Sequence, residues 1–508
     1  MPLAPLKAID ALRAALLDPQ RRERTVLVAL AVYTLLWTVY ATVAKSSQGL
    51  HPDMTELIAW SRDLALGYLK HPPVAAWLDG IWFAVFPVAD WSYYLLAMLM
   101  PAIALWIVWR LSADYLDAEK RVVGVALLTL VPFFNFHALK YNVNTVLLPL
   151  WAAATLFFLR SYRTRSMGYA ALAGLAAAAC MYGKYWSVVL LLGLALAALI
   201  DKRRAAYFKS PAPYVTALVG LVALAPHLIW LWQHHFAPFS YAAEVHGEKP
   251  FAATAVSALG YLAGSLGYAA VPALIVLILA RGKPAVLADM AWPADSERRL
   301  AATAFWAPLL LPVVLAPAIG TEITSLWSMS CWTLLAVLLL SPPAVAVRPV
   351  DTRRILLLAA ALPVVMVVVS PVIAILAQRA GPQPAMAHGK LLADEVERAW
   401  REMTLRPLRF VTGDADLAFA VVAYAPDRPR ALPGLPQPSD AELAAHGLVA
   451  VCFAEDTGCR NNGAAQAAKI GPSREIVSNI TRNFLTFPGK PQGYAIIVAP
   501  PRLALPAQ

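Results

Sequence analysis

The chain has 508 residues, of which 60% are hydrophobic and only 14% are charged, and its mean hydropathy is +0.60. A soluble protein carries roughly a quarter charged residues, so this composition excludes a soluble globular fold. The net charge of +11 does not indicate a nucleic-acid partner, because the basic residues lie between apolar runs close to the ~20 residues that cross a bilayer. We therefore expect a polytopic all-α membrane protein.

The first apolar run, residues 26–44, follows a segment that lacks the pattern of a cleavable signal, so we expect an uncleaved first span. The connections on the side of the N-terminus carry 22 Lys and Arg residues, against 6 on the other side. The positive-inside rule therefore predicts a cytoplasmic N-terminus and an external C-terminus. Eleven spans are predicted, at residues 26–44, 92–110, 122–138, 143–160, 168–183, 186–200, 213–232, 255–280, 301–319, 324–342 and 355–377.

A polar loop, residues 45–73, follows the first span. Asp53, Glu56, Trp60 and Asp63 have the i, i+3, i+7, i+10 spacing that places side chains on one helical face. A carboxylate at a membrane surface can accept a proton from an attacking hydroxyl or amine, so Asp53 and Glu56 are candidate catalytic residues. The alternative interpretation is that these are solvated loop acids.

Residues 74–88 are apolar but short, and they contain Asp79. If they crossed the membrane, every later loop would change sides and the charge bias would reverse. We therefore expect a helix along the outer interface, with Trp77 and Trp82 at headgroup depth. The first outer loop would then extend over residues 45–91.

More polar residues lie at the predicted outer ends of later spans. Lys140 follows the third span, and Lys184 lies in a short break between two apolar runs. A lysine at such a place is costly to bury unless an anion pairs with it, so both are candidates for holding a lipid phosphate. The alternative for each is snorkelling to the interface. The candidate substrate-binding residues on this side are Tyr68, His71, Tyr141, Asn142, Tyr185, His227 and His246.

The sequence gives no indication of a metal or a cofactor. It has no HxxxH or HExxH spacing, no P-loop, and no GxGxxG motif that opens a helix after a strand. We expect neither a metal site nor a bound cofactor.

Residues 378–508 have an ordinary charge density, and residues 1–377 form the predicted transmembrane domain. A helical pattern covers about 389–403, and β-rich runs occur at LRFVTG, GLVAVCF and YAIIVAP. These patterns predict a small external α/β domain. Cys452 and Cys459 would form a disulfide in an oxidising compartment, but their spacing also fits two unrelated thiols.

Several of these segments together resemble a known family. The first-loop acid is followed by WSRDLALGY, by HPP and by the helix AAWLDGIWF; later come FNFHALKYN, MYGKYWS and HLIWL. This set resembles the bacterial dolichyl-phosphate-mannose mannosyltransferase-like (family 39) proteins, to which aminoarabinose and galacturonic acid lipid A transferases are similar. The resemblance covers residues 25–250 well and the remainder by layout.

The resemblance implies a GT-C bundle in the bacterial inner membrane, with its active site facing the periplasm. Such enzymes move a sugar from a polyprenyl phosphate to a glycolipid, polysaccharide, lipid or protein acceptor in one inverting displacement. Asp53 matches the family's first-loop acid and would be the general base. Lys184, Lys140 and Lys70, in that order, would stabilise the leaving phosphate.

Two positions depart from the family pattern. Many relatives have a second acid directly after the first, where this chain has Met54; Glu56 is the nearest replacement. Many relatives also have an acid before HPP, where this chain has Lys70. The added positive charge favours an anionic sugar or acceptor.

Two other functions are compatible with a polytopic membrane protein. A transporter or flippase of a lipid-linked substrate would carry its polar residues near the bilayer midplane. Here the middles of the spans are nearly all Ala, Leu and Val, which favours chemistry at one face. A non-catalytic assembly partner would use the first outer loop only as a docking surface.

Overall fold

The computed structural model describes residues 4–247, 249–434 and 437–502. The α-helices of this described part are α1 Ala4–Leu17, α2 Arg22–Ala44, α3 Pro52–Trp60, α4 Val74–Val85, α5 Asp90–Ser112, α6 Ala118–Leu128, α7 Val143–Thr164, α8 Met167–Gly183, α9 Val188–Ile200, α10 Arg204–Phe208, α11 Ala212–Gln233, α12 Ala237–His246, α13 Phe251–Tyr268, α14 Ala270–Leu279, α15 Pro284–Ala291, α16 Ser296–Ala318, α17 Leu335–Leu340, α18 Pro349–Ala380, α19 Pro384–Ala387, α20 Gly389–Met403, α21 Ala415–Tyr424, α22 Asp440–His446 and α23 Thr457–Ile470. Short 3-10 helices occur at Pro132–Phe134, Tyr185–Ser187, Ser325–Ser328 and Cys331–Leu334. The strands are β1 Phe410–Gly413, β2 Arg430–Ala431, β3 Leu448–Phe453, β4 Arg474–Ile480, β5 Asn483–Phe484, β6 Phe487–Pro488 and β7 Gln492–Ala499.

The chain folds into two compact units. The first comprises Met1–Thr38, Lys70–Val74 and Leu95–Met366. The second comprises Val39–Leu69, Ala75–Tyr94 and Val367–Gln508. Most of the first outer loop therefore belongs to the same unit as residues 378–508, the C-terminal tail.

Six of the described helices are long and apolar enough to cross a bilayer: α2, α5, α7, α11, α16 and α18. The pair α13 and α14, bent by 55°, makes a seventh when it is counted as one span. These helices coincide with seven of the predicted spans. A hydrocarbon core is ~30 Å thick and offers the backbone no hydrogen-bond partners. Apolar segments of this length therefore form helices, because a helix satisfies its backbone groups internally.

The other four predicted spans are shorter or irregular. Residues 168–183 form the 17-residue helix α8, and residues 186–200 form α9 after a 3-10 turn. In the run 122–138 the helix α6 ends at Leu128, before Pro132, which begins a 3-10 turn because proline cannot continue an α-helical hydrogen-bond ladder. Residues 324–342 are divided between two 3-10 turns and α17. The count of eleven and the orientation stay predictions.

The predicted outer-interface helix is α4, which ends at Val85, two residues before Pro87. Asp79 is fully buried within the second unit, and its Oδ2 accepts a hydrogen bond from the Tyr93 hydroxyl at 2.5 Å. Burial raises the pKa of Asp79 well above its ordinary value. The polar residue that argued against a membrane crossing is therefore a buried, hydrogen-bonded group.

The C-terminal part of the second unit contains a small sheet covered by helices, which agrees with the α/β character predicted for residues 378–508. Its five-stranded sheet has the order β2-β1-β3-β7-β4, with β1 parallel to both neighbours and β7 antiparallel to both of its own. Helices α20 and α21 cover one face, where Val396, Trp400 and Val421 pack against β3 and β7. Helix α23 covers the other face through Ala467 and Ile470. The helix expected at 389–403 and the three β-rich runs are all confirmed.

Cys452 on β3 and Cys459 in the first turn of α23 form a disulfide. Of the two interpretations open from the sequence, the bonded pair is the one found. Cys180 and Cys331 are buried free thiols, as expected for cysteines in apolar segments.

Candidate functional site

Asp53 lies in the first turn of α3, directly after Pro52. The imidazole Nδ1 of His51 accepts a hydrogen bond from the Asp53 backbone N–H at 3.1 Å and so caps the helix. An Nδ1 that accepts carries no proton, so its 3.5 Å approach to Asp53 Oδ1 is not an ion pair in this tautomer. The carboxylate therefore lies at the positive end of the helix, where negative charge is favoured.

The four residues predicted to share one helical face do not all lie on the helix. Asp53, Glu56 and Trp60 belong to α3, but the helix ends at Trp60, and Asp63 lies beyond it. The expectation was wrong for Asp63, because α3 ends three residues before it. The Asp63 carboxylate instead forms an ion pair with Arg430 of the C-terminal tail, with 3.2 Å between Oδ2 and Nε. Glu56 is buried, with 8% of its surface exposed.

The C-terminal tail holds α3 at both ends. Before the helix, Gly49 N–H donates to the Met386 carbonyl at 2.7 Å, and Leu50 N–H donates to the Tyr424 hydroxyl at 3.1 Å. After it, the Arg62 guanidinium donates to two backbone carbonyl oxygens, those of Val422 and Pro429, at 2.6 Å each. Burial lowers the pKa of Arg62 to about 10. The segment that carries Asp53 is therefore positioned by residues more than 300 positions away in the sequence.

Tyr68 is 4% exposed, and its hydroxyl lies 2.6 Å from the Asp63 carbonyl oxygen and 2.9 Å from that of Trp60. Burial raises the pKa of this phenol, so the hydroxyl stays protonated and donates to the loop backbone. Its ring stacks on the Trp60 ring at a centroid distance of 5.1 Å. The structure therefore gives this candidate substrate-binding residue a part in shaping the loop.

In the first unit, Lys184 lies between α8 and the 3-10 turn that precedes α9. Its Nζ donates to Asn144 Oδ1 at 2.9 Å and lies 4.8 Å from the Trp327 ring centroid. A hydrogen bond and a cation–π contact fix the position of this ammonium group.

Lys140, Tyr141 and Asn142 lie at the start of α7, where Asn144 forms part of the first turn. Asn142 is the N-cap, and its Oδ1 accepts from the backbone N–H groups of Asn144 and Thr145. Tyr141 is fully buried, while Lys140 is partly exposed. The structure thus brings Lys140 and Lys184 to the positive end of one long helix, where negative charge is favoured.

A second polar group of this unit centres on His227 of α11, which is 1% exposed. Its Nε2 lies 3.1 Å from the Tyr185 hydroxyl, and the Tyr185 ring packs against Phe239 at 4.7 Å. Lys70 Nζ lies 5.7 Å from the ring centroid of Tyr241 on α12, and His71 is partly exposed. The side chain of His246, the last residue of α12, is outside the described part of the structure.

Sequence reasoning missed four contributors, Arg62, Trp327, Tyr424 and Arg430, because each acts on a residue distant in the sequence. Trp327 was included in the predicted span 324–342, although the polar residues of GTEITSLWS around it are typical of a turn. Among the described residues, no three His, Cys, Asp or Glu side chains are grouped closely enough to hold a metal ion.

Comparisons with known proteins agree with this layout. The family model of dolichyl-phosphate-mannose-protein mannosyltransferases matches residues 70–230. The lipopolysaccharide core galacturonosyltransferase RgtB of Rhizobium johnstonii is 26% identical over 318 residues, which are 60% of this chain and 63% of RgtB. The chain thus spans less than two thirds of the length of this relative.

Solved structures show the same fold. ArnT from Cupriavidus metallidurans bound to undecaprenyl phosphate has a TM-score of 0.57 and 13% identity, over 94% of this chain and 99% of that one. The apo form of the same protein gives a TM-score of 0.58 at 12% identity, over 92% and 97%. The resemblance inferred from the sequence motifs is therefore confirmed: this chain is similar to the dolichyl-phosphate-mannose-protein mannosyltransferases over residues 70–230 and has the fold of ArnT.

Proposed function

We propose that this protein is a glycosyltransferase of the bacterial inner membrane that moves a sugar from a polyprenyl phosphate to an envelope glycolipid at the periplasmic face. One observation carries the proposal. The Lys184 ammonium is fixed by Asn144 and Trp327 at the N-terminal end of α7, the end that Lys140 precedes in the chain. Fixed cations at a helix N-terminus suit a lipid phosphate, the group that ArnT was solved with.

Asp53 is the base in this proposal. The acceptor hydroxyl oxygen attacks the anomeric carbon of the donor sugar, and its proton passes to the Asp53 carboxylate. The bond between the anomeric carbon and the phosphate oxygen breaks, and the electron pair leaves with that oxygen. A single displacement of this kind inverts the anomeric configuration. Asp53 suits the role better than Glu56, because its side chain is 42% exposed whereas Glu56 is buried.

The leaving group is a phosphate monoester of a lipid, so it does not need to be protonated. Its negative charge grows in the transition state, and a cation that is already fixed in place stabilises that charge without reorganisation. Lys184 has this role in the proposal, Lys140 assists it, and Lys70 is the third candidate. Tyr185, His227, Tyr141, Asn142 and His71 are proposed to line the substrate path in the first unit.

The periplasmic placement has independent support in the disulfide between Cys452 and Cys459, because such bonds form and persist in oxidising compartments. The similarity to RgtB, a lipopolysaccharide core galacturonosyltransferase, favours a lipid-anchored saccharide as the class of acceptor.

The proposal is tested by mass spectrometry of envelope glycolipids from a deletion strain complemented with single variants. We expect the deletion strain to lack one terminal sugar on a glycolipid, and Asp53→Asn to leave that sugar missing. The rate of the purified variant should fall about 10²–10⁴-fold, the usual contribution of general base catalysis. Lys184→Met should reduce the rate about 10²–10³-fold.

The matched controls are Asp394→Asn and Lys390→Gln, at exposed positions of α20, which should retain full activity. An envelope unchanged by the deletion would contradict the proposal. An accumulated lipid-linked precursor on the cytoplasmic side, with normal transfer in detergent extracts, would indicate a flippase instead.

A further inference from the structure

A small cavity lies in the second unit, where the end of α3 meets the C-terminal tail. Its volume is about 40 Å³. Trp60, Asp63 and Tyr68 line it from the first outer loop, and Phe419, Arg430 and Pro433 from the tail. The lining does not include Lys70, Lys140 or Lys184, so the proposed phosphate-binding residues do not account for this cavity.

The polar wall of the cavity is an ion pair. Arg430 Nε lies 3.2 Å from Asp63 Oδ2, and the two side chains are 32% and 41% exposed. An exposed pair of this kind adds little to stability. It does, however, present donors and acceptors side by side at a surface that a ligand can reach.

Another wall is aromatic. The rings of Trp60 and Tyr68 are stacked with an interplanar angle of 6°, and the Tyr68 hydroxyl is held by two loop carbonyl oxygens. Arg62 ties the same loop to the tail through two further carbonyls. These wall residues are held in place before any ligand arrives, which reduces the entropy lost on binding.

We propose that this cavity binds two adjacent hydroxyl groups of a neutral sugar residue in the acceptor, separately from the donor. One water needs ~10–15 Å³ of such volume, so the cavity holds a pair of hydroxyl groups and not a whole sugar ring. One hydroxyl donates to Asp63 and its neighbour accepts from Arg430. The carbon face of the ring then packs at the cavity mouth against the aromatic wall.

The charges of the wall select the ligand class. Asp63 and Arg430, the two charged residues that line the cavity, together carry no net charge, so the lining itself offers no net attraction to a phosphate or carboxylate. A carboxylate ligand would also lie next to the Asp63 carboxylate, and the two negative charges would repel each other. A neutral sugar with a 1,2-diol satisfies both groups, and so the cavity suits an uncharged residue of a glycolipid headgroup.

The inference rests on the proposed transfer reaction for its biological meaning, but binding can be measured without turnover. The probe is the core oligosaccharide released by mild acid from lipopolysaccharide of a deletion strain, titrated into the full-length protein in detergent micelles. We expect Arg430→Gln and Asp63→Asn each to weaken binding about 10- to 100-fold, the usual effect of losing one hydrogen bond to a charged group. In the transfer assay both variants should raise the KM for lipopolysaccharide by a similar factor and reduce kcat less than 2-fold.

Arg409→Gln, an exposed arginine just before β1, is the charge control and should bind as the wild type does. Arg430→Lys keeps the charge but loses the planar fork, and should bind weakly while unfolding at the wild-type temperature. Unchanged binding in Arg430→Gln and Asp63→Asn, or an equal loss in Arg409→Gln, would overturn the inference. If the wild type binds the oligosaccharide but transfers no sugar, the proposed function fails and the binding site stands.

Discussion

At the scale of single residues, Tyr424 and His388 are two polar residues of the second unit whose side chains have specific partners. The Tyr424 hydroxyl accepts from Leu50 N–H and donates to Asp90 Oδ1 at 3.0 Å, and burial raises the pKa of this phenol well above its ordinary value. His388 is 3% exposed, and the distance between its Nδ1 and the Tyr494 hydroxyl oxygen is 2.9 Å. Unsatisfied partners at such positions cost about 1–3 kcal/mol, so these contacts specify how the tail folds.

His388 predicts a pH dependence of stability. Burial, and then the nearby positive charge of Arg482, lower the pKa of His388 from 6.5. The folded state therefore binds the proton less tightly than the unfolded state, so this contribution to stability is fully present above about pH 6.5 and is lost as the pH falls below it. Each unit of lowering corresponds to about 1.4 kcal/mol.

The substitution His388→Asn keeps a polar side chain near the Tyr494 hydroxyl but removes the group that takes up the proton. We expect the wild type to lose more thermal stability than His388→Asn between pH 7.5 and pH 5, measured by unfolding in detergent. The control is His446→Asn, at an exposed histidine that ends α22. Identical pH dependence in the wild type and His388→Asn would show that another group is responsible.

At the scale of secondary-structure elements, the notable arrangement is α3 and the tail that holds it. A nine-residue helix is too short to be stable by itself in water. Here its N-terminus is bonded through Gly49 and Leu50, and its C-terminal flank through Arg62. The C-terminal tail therefore acts as the support of the segment that carries Asp53.

Arg62→Lys tests this support. A single ammonium cannot reproduce the planar guanidinium that bonds the Val422 and Pro429 carbonyls together. A displacement of α3 by about 1 Å would reduce kcat about 10²-fold. We expect lower kcat with an unchanged KM for the polyprenyl donor, measured on purified protein, and full activity in the control Arg409→Lys. A variant with normal kcat would show that the tail does not position α3.

The sequence predicted elements well where one local pattern dominates. Long apolar runs such as 143–160 correspond to helices, and the hydrophobic run GLVAVCF corresponds to β3. It did not predict β4, Arg474–Ile480, because this edge strand is mostly exposed and its sequence lacks a continuous apolar run. It also placed Asp63 on the α3 face, since no local signal shows that Arg430, 367 residues later, pairs with it. The position of Asp63 depends on this long-range contact, and the periodicity of a local sequence carries no information about such contacts.

At the scale of the whole molecule, two unrelated features bear on which side of the membrane each part occupies. The bias of 22 basic residues against 6 favours an external C-terminus. The disulfide between Cys452 and Cys459 links β3 to α23 inside that tail. If the tail were cytoplasmic, the reducing environment would keep both cysteines as free thiols.

The orientation of the tail can be tested without an activity assay. In a variant with Cys180→Ala and Cys331→Ala, only the disulfide pair remains among the four cysteines of the chain. Protein denatured without reductant should resist maleimide labelling when made in a wild-type host, and should be labelled when made in a host that lacks periplasmic thiol oxidation. Replacing both Cys452 and Cys459 with serine should lower the free energy of unfolding by about 2–3 kcal/mol, because the bond closes a short loop. Direct labelling of protein from the wild-type host would place the tail in the cytoplasm, and the proposed periplasmic reaction would lose its support.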